Sequence, residues 1–213
     1  MHPGLINTFS IVAFDAHSGE LGSASASRSL AVGGAIVFSR PGAGIVNSQH
    51  HANLRLGETA LGHINAGKHP QAALEAVLAA DSMAQARQLI AIDSHNRKGA
   101  WTGPDCTDVK HHQFGDSCVA AGNHLVGKKV IDQMVKAYEK TGNQSVSWRL
   151  LMALEAGEAA GGDKRGKQSA AIKVVPPSLA RAGEINVDLR VDDHPRPLVE
   201  LRRLCALFWQ DYR

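Results

Sequence analysis

Three consecutive runs decide the fold class: Thr8-Phe9-Ser10-Ile11-Val12-Ala13-Phe14, then Asp15-Ala16-His17-Ser18-Gly19, then Leu21-Gly22-Ser23-Ala24-Ser25-Ala26-Ser27. The first is apolar on one face and mostly apolar on the other, the pattern of a strand held between two layers. The second is turn chemistry, with Asp, Ser and Gly each favouring a chain reversal. The third returns as a hairpin partner in which every residue after Leu21 is small. Small side chains leave room either for close sheet packing or for a ligand, and local propensity does not choose between them.

Outward from this hairpin the pattern repeats. Residues 36–39 and 44–49 flank Pro41-Gly42 as a second hairpin. Leu54, Leu61 and Ile64 share a helical face that Gly67 ends, and Pro70 opens a second helix carrying Ala73, Leu74, Val77 and Leu78. Residues 89–92 and 100–102 bracket a turn around Asn96 and Gly99, and 117–120 forms a short strand. Helices follow on Val126, Val130, Ile131, Met134 and Tyr138, then on Leu150, Leu151 and Leu154, with Ser145 or Ser147 as cap. Strands at 172–175 and 186–191 precede a last helix opened by Pro195 and Pro197. Hairpins separated by helix pairs predict an α+β chain, with two stacked antiparallel sheets and helices on both outer faces. No linker divides the 213 residues, so a single domain over 1–213 is expected.

Composition removes several function classes. Apolar residues are 44% of the chain, enough for an interior, and charged residues only 20%, which is not the composition of a disordered chain. The net charge of +3 is dispersed and aromatics are 5%, without the basic stripe of a nucleic-acid binder. No apolar run approaches the roughly 20 residues of a membrane span. The start, Met1-His2-Pro3-Gly4, lacks the charged and apolar regions of a signal peptide. Three cysteines without close pairing fit a reduced, cytoplasmic protein.

The chemistry gathers in Gly161-Gly162-Asp163-Lys164-Arg165-Gly166-Lys167-Gln168-Ser169-Ala170-Ala171, a helix-to-strand loop. Its glycines permit positive φ, its N–H groups could form an anion-binding nest, and Arg165 offers a bidentate grip on an acid. A glycine helix stop and a solvated charged turn account for it equally well. Gly161, Gly166 and Lys167 have phosphate-loop spacing, but Gln168 stands where Ser or Thr is required, and the strand and helix are in the wrong order.

Among eleven histidines, His111 and His112 with Cys106 and Cys118 match no zinc spacing, so no metal and no cofactor are expected. His50-His51 reads as a surface pair at a strand-to-helix junction. In Asp192-Asp193-His194-Pro195, an Asp is expected to cap the last helix. Ser25, Ser27 and Ser29 near Arg28 are possible nucleophiles with no base adjacent in sequence.

Residues 8–13, Ala26-Ser27-Arg28, the loop 161–171 and the run 188–195 together resemble a bacterial family known as domain of unknown function 1028, assigned to the N-terminal-nucleophile hydrolase superfamily. The resemblance covers nearly the whole chain. It implies a four-layer αββα sandwich and an amide-cleaving activity in which a Thr, Ser or Cys at the mature N-terminus attacks, with its own α-amine as base. The matching position is Thr8. Seven residues precede it, so its nitrogen is an amide, and no methionine between Met1 and Thr8 offers a later start. The acidic residue near Ala26 and the lysine near Gly34 or Ala35 that proteasome-like relatives suggest are not in the sequence.

The expected function is hydrolysis of an amide in a small, carboxylate-bearing substrate after cleavage at Asn7–Thr8. Thr8 and Ser27 are the candidate catalytic residues. Arg28, Gln49, Asp163, Arg165, Gln168 and Ser169 shape the pocket, and a homo-oligomer is compatible with all of this. The alternative is a non-catalytic protein of the same fold that holds a small anion in the glycine-rich loop.

Overall fold

The hairpin read from the first runs forms the middle of a six-stranded sheet in the computed structural model, which describes residues 4–181, 183 and 186–212. The residues Met1–Pro3 read for a signal peptide lie outside the described residues. The strands are β1 (Leu5–Ile6), β2 (Phe9–Phe14), β3 (Leu21–Ser27), β4 (Val37–Arg40), β5 (Gly44–His51), β6 (Arg87–Asp93), β7 (Lys98–Thr102), β8 (His111–Phe114), β9 (Cys118–Gly122), β10 (Ser169–Val175) and β11 (Asp188–Val191). The helices are α1 (Val32–Ile36), α2 (Leu54–Asn65), α3 (Pro70–Ala79), α4 (Lys129–Lys140), α5 (Val146–Ala159) and α6 (Pro197–Asp211).

One sheet runs β11-β10-β3-β2-β9-β8; the other runs β1-β5-β6-β7, with β4 also paired to β5. Every pairing is antiparallel. Helices α4, α5 and α6 cover the six-stranded sheet, and α2 and α3 cover the other, giving an αββα four-layer sandwich. The two-layered hydrophobicity of β2 has this cause. Phe9, Ile11 and Ala13 enter the core under the helices, and Val12 enters the core between the sheets.

The small residues of β3 serve both neighbours. Gly22, Ala24 and Ala26 face α5, and a Cβ on Gly22 would lie 2.6 Å from Leu150 Cδ1 and 2.8 Å from Val146 Cγ1. On the other face stand Ser23, Ser25 and Ser27, all buried. The layer between the sheets is therefore apolar at one end, around Val12, Leu21, Ile45, Ile92 and Val119, and polar at the other. Strand alternation places Thr8 at the polar end beside Ser10.

Several local expectations need correction. Val126 precedes α4 and is exposed, because the helix begins only at Lys129. Ser145 is the N-cap of α5, but its hydroxyl meets Ser147 rather than a backbone N–H. Neither Asp192 nor Asp193 caps α6: Asp192 pairs with Arg190 at 2.9 Å and Asp193 accepts from Gln168. Strand β10 begins at Ser169, so the glycine loop is shorter than the sequence suggested. His50 and His51 lie in β5 itself, and His50 is buried at a φ of 64°. Among the described residues, no helix is long and apolar enough to cross a membrane.

Candidate functional site

Thr8 sits between β1 and β2, where the chain crosses from one sheet to the other. Its side chain is fully buried, its carbonyl accepts from the Asn123 N–H at 3.1 Å, and its hydroxyl has no hydrogen-bond partner. The preceding residue is held from three sides. The Asn7 carbonyl oxygen accepts from the Ser27 hydroxyl at 2.5 Å and from Arg165 Nη2 at 2.9 Å. The Asn7 side-chain Nδ2 lies 3.1 Å from His124 Nδ1. Ser27 reaches this point because it ends β3, and Arg165 because the glycine loop folds over that end.

The loop is organised by Asp163, whose side chain is wholly buried. One carboxylate oxygen accepts from the Arg165 N–H at 2.9 Å and from Nε at 3.0 Å. The other accepts from Arg165 Nη2 at 2.6 Å and from the Arg28 N–H at 3.2 Å. A guanidinium clamped this way is preorganised, and its Nη2 is aimed at the Asn7 oxygen rather than at solvent. The glycines are required by the backbone: Gly161, Gly162 and Gly166 have φ of 117°, 59° and 105°. Most of the loop's backbone N–H groups are engaged within the protein rather than gathered around an anion. Gly161, Gly162, Lys164 and Gly166 donate to Glu158, Gly157, His124 and Asp163 carbonyls, and Gln168 donates to Ser27.

The other sequence-selected residues divide. Arg28 Nη1 donates to Gln168 Oε1 at 2.7 Å on the surface, and Gln168 Nε2 donates to Asp193, so this pair stands outside the buried cluster. Ser169 is buried and ties down the chain after β3, donating to the Ser29 carbonyl and accepting from the Val32 N–H. Gln49 lies between the sheets, accepting from Ser10 at 2.7 Å and donating to Gln88 at 2.8 Å. Gln88 also accepts from Asn123 Nδ2 and donates to the Gly122 carbonyl. Lys167 pairs with Glu158 at 3.0 Å while remaining half exposed.

Asn7 and His124 meet beside Thr8 and Asn123 donates its N–H to the Thr8 carbonyl, and none of the three was singled out in the sequence. The signals were present, an Asn directly before Thr8 and an Asn-His pair after a strand. Nothing local shows that positions 117 residues apart meet. A recess of ≈130 Å³ opens beside the cluster, lined by Phe9, Ala26, Ser27, Glu158, Asp163 and Lys167 among others.

Titration properties narrow the possible nucleophiles. Burial pushes the Cys106 thiol up to about 11 and those of Cys118 and Cys205 up to about 12, so none supplies a thiolate near neutrality. Cys106 donates to the Arg87 carbonyl, His112 meets Thr102, and His111 lies 3.4 Å from Asp132. Among the described residues, no group of three or more His, Cys, Asp or Glu could hold a metal ion.

Burial also holds the His50 imidazole below its ordinary range, assisted by His51, Lys110 and His124 and opposed by its bond to the Ala86 carbonyl. Burial, assisted by His111, does the same to His112. With folded values depressed, the unfolded chain binds protons first as pH falls. The stability these residues contribute is present above the unfolded value of about 6.5 and is lost as pH falls from there toward the folded values. Urea midpoints at pH 7.5 and 5.5 should therefore fall with acidification. The double variant H50Q/H112Q should flatten the fall, whereas an unchanged slope would place the acid sensitivity elsewhere.

Residues 8–201 match the model of a family described as a family of unknown function, DUF1028. The crystal structure of protein SPO2555 from Silicibacter pomeroyi, assigned to the same family, is similar at 35% identity. Its TM-score is 0.86, and the alignment covers 95% of this chain and 89% of that one. Anbu (ancestral beta-subunit) from Yersinia bercovieri aligns over 95% of this chain and 97% of its own, at 14% identity and a TM-score of 0.46. An Anbu (Gly-1) mutant from Hyphomicrobium sp. strain MC1 aligns over 96% and 95%, at 11% identity and a TM-score of 0.42. A search of the curated proteins finds no match. With 35% identity to that structure and a family model spanning Thr8 to Leu201, the chain belongs to the DUF1028 family.

Proposed function

We propose that the protein is an N-terminal-nucleophile hydrolase that acts on an amide of a small substrate once the Asn7–Thr8 bond is cut. The observation that carries this reading is the pair of donors on the Asn7 carbonyl oxygen, the Ser27 hydroxyl and the Arg165 guanidinium. Donors fixed on a carbonyl oxygen stabilise the negative charge that develops there when the carbon is attacked. In the uncut chain they serve the bond just before Thr8. When the residues up to Asn7 depart, the same two donors face whatever carbonyl is brought to Thr8.

The chemistry of the freed end follows from Thr8 itself. Its hydroxyl is the nucleophile and its new α-amine is the base that accepts the hydroxyl proton. The family match also begins at Thr8. Asp163 keeps Arg165 in place, and the recess beside Ser27, at ≈130 Å³, accommodates a small group rather than a polymer. Lys167 stands at the rim of that recess paired with Glu158, so a substrate carboxylate would meet it only by displacing Glu158. The anion-binding alternative is less well supported, since most of the loop N–H groups bond within the protein and Arg165 is paired.

The test compares two proteins against a panel of small N-acyl amino acids. A chain produced to begin at Thr8 should hydrolyse at least one of them, and a full chain kept uncut should hydrolyse none. Equal turnover by both would remove any role for the Thr8 amine.

A further inference from the structure

Among the buried groups, the Asn7 side chain is unusual in what it touches. Its amide nitrogen meets an imidazole nitrogen, His124 Nδ1, at 3.1 Å, and its Oδ1 has no hydrogen-bond partner. The backbone carbonyl of the same residue is the one gripped by Ser27 and Arg165. A nucleophile, a base and two oxyanion donors therefore converge on one residue, immediately before the bond that must break. The Thr8 hydroxyl, the other nucleophile within reach by chain connectivity, is buried with no partner to take its proton.

We infer that the Asn7–Thr8 bond is cut by cyclisation of Asn7, with His124 as the base and Ser27 with Arg165 as the oxyanion site. The inference rests on the reading of Thr8 as a nucleophile only for the purpose of the cut, not for its chemistry. Asn7 Nδ2 attacks its own carbonyl carbon and gives a proton to His124 Nδ1. The carbonyl oxygen takes the negative charge under Ser27 and Arg165. As the intermediate collapses, the carbon–nitrogen bond to Thr8 breaks and the departing nitrogen takes the proton from His124. One carbon–nitrogen bond forms and one breaks. No water is consumed, and nothing is oxidised or reduced. The products are a five-membered succinimide closing the segment that ends at Asn7 and a free α-amine on Thr8.

Pairing of β1 with His50 and His51, and of the Gly4 carbonyl with the Ala52 N–H, fixes the segment before Asn7 against the other sheet. The Asn7 side chain is thus held by His124, its carbonyl oxygen by Ser27 and Arg165, and the residues before it by β5. Denaturing conditions separate the cut segment from the rest of the chain before it is weighed.

The purified full chain is incubated near neutral pH and followed by denaturing mass spectrometry, with thermal melts confirming that each variant is folded. The expected result is a chain beginning at Thr8 together with a segment ending at Asn7 that is lighter by one water than the hydrolysed peptide. N7Q, which lengthens the side chain, should stop the cut, and T8V, which removes the hydroxyl but keeps the shape, should still be cut. H124Q should slow it by about 10²-fold or more, the scale of general-base removal. An uncut wild-type chain, a cut in N7Q, or a cut lost in folded T8V would each overturn the cyclisation. Turnover by a chain produced independently to begin at Thr8 is a separate readout, so a failed cut and a failed hydrolase are told apart.

Discussion

Replacing Thr8 by Val in a chain that begins at position 8 is expected to reduce amide hydrolysis by roughly 10⁴-fold or more, the scale seen when a covalent nucleophile is removed from a preorganised site. The side chain is fully buried beside Ser10 and between the sheets, and Val has nearly the same shape, so the fold should survive. T8S should retain turnover, because it keeps a hydroxyl and an α-amine in the same relation. Steady-state kinetics on the substrate found in the panel, with a melting curve for each variant, reads the effect. If T8V turns over at the wild-type rate, the nucleophile lies elsewhere.

The second large effect is on stability. Asp163 has no exposed side-chain surface, pairs with Arg165 at 2.6 Å and accepts the backbone N–H groups of Arg28 and Arg165. Its removal leaves a guanidinium that is only 28% exposed without its partner and opens the loop that glycines 161, 162 and 166 allow to form. Breaking such a pair from one side costs about 3–5 kcal/mol. D163A should show that loss in urea unfolding, while K164A, altering an exposed side chain, should change stability by less than about 0.5 kcal/mol. Equal effects of the two would mean that the loop is a solvated turn and that Arg165 is not held for chemistry.

The sequence showed the fold more fully than the site, for reasons visible in particular elements. Strands β2 and β3 carried their period in apolar and small residues, and α2 and α3 carried caps and stripes. The elements not read have weak local signals. Strand β1 is two residues long, β8 is His-His-Gln-Phe, and α1 is a five-residue turn containing two glycines. That turn exists through tertiary contact, since Ser169 accepts the Val32 N–H and a Cβ on Gly33 would collide with the Ala171 side chain.

Within the site, Asp163 and Arg165 were legible because they lie two positions apart in one loop. The meeting of Asn7, Ser27, His124 and Arg165 was not, because it depends on β2, β3 and β9 lying side by side. Arg28 and Gln168 were selected for the same charge and polarity as Arg165 but bond to each other at the surface. Residue type identified all three; the Asp163 carboxylate separates them, because it holds the Arg165 side chain against the Asn7 carbonyl while the Arg28 side chain meets Gln168 outside.

The central claim is that Thr8 attacks carbonyls once it heads the chain. A small β-lactone, which acylates an activated hydroxyl and leaves a stable ester, tests it directly by peptide mass mapping. The account predicts one adduct on Thr8 in the chain that begins there, none on the same residue in the uncut chain, and a sharply reduced yield in R165A, which lacks an oxyanion donor. An adduct on Ser27 or another residue, or equal labelling of Thr8 in the uncut chain, would contradict it.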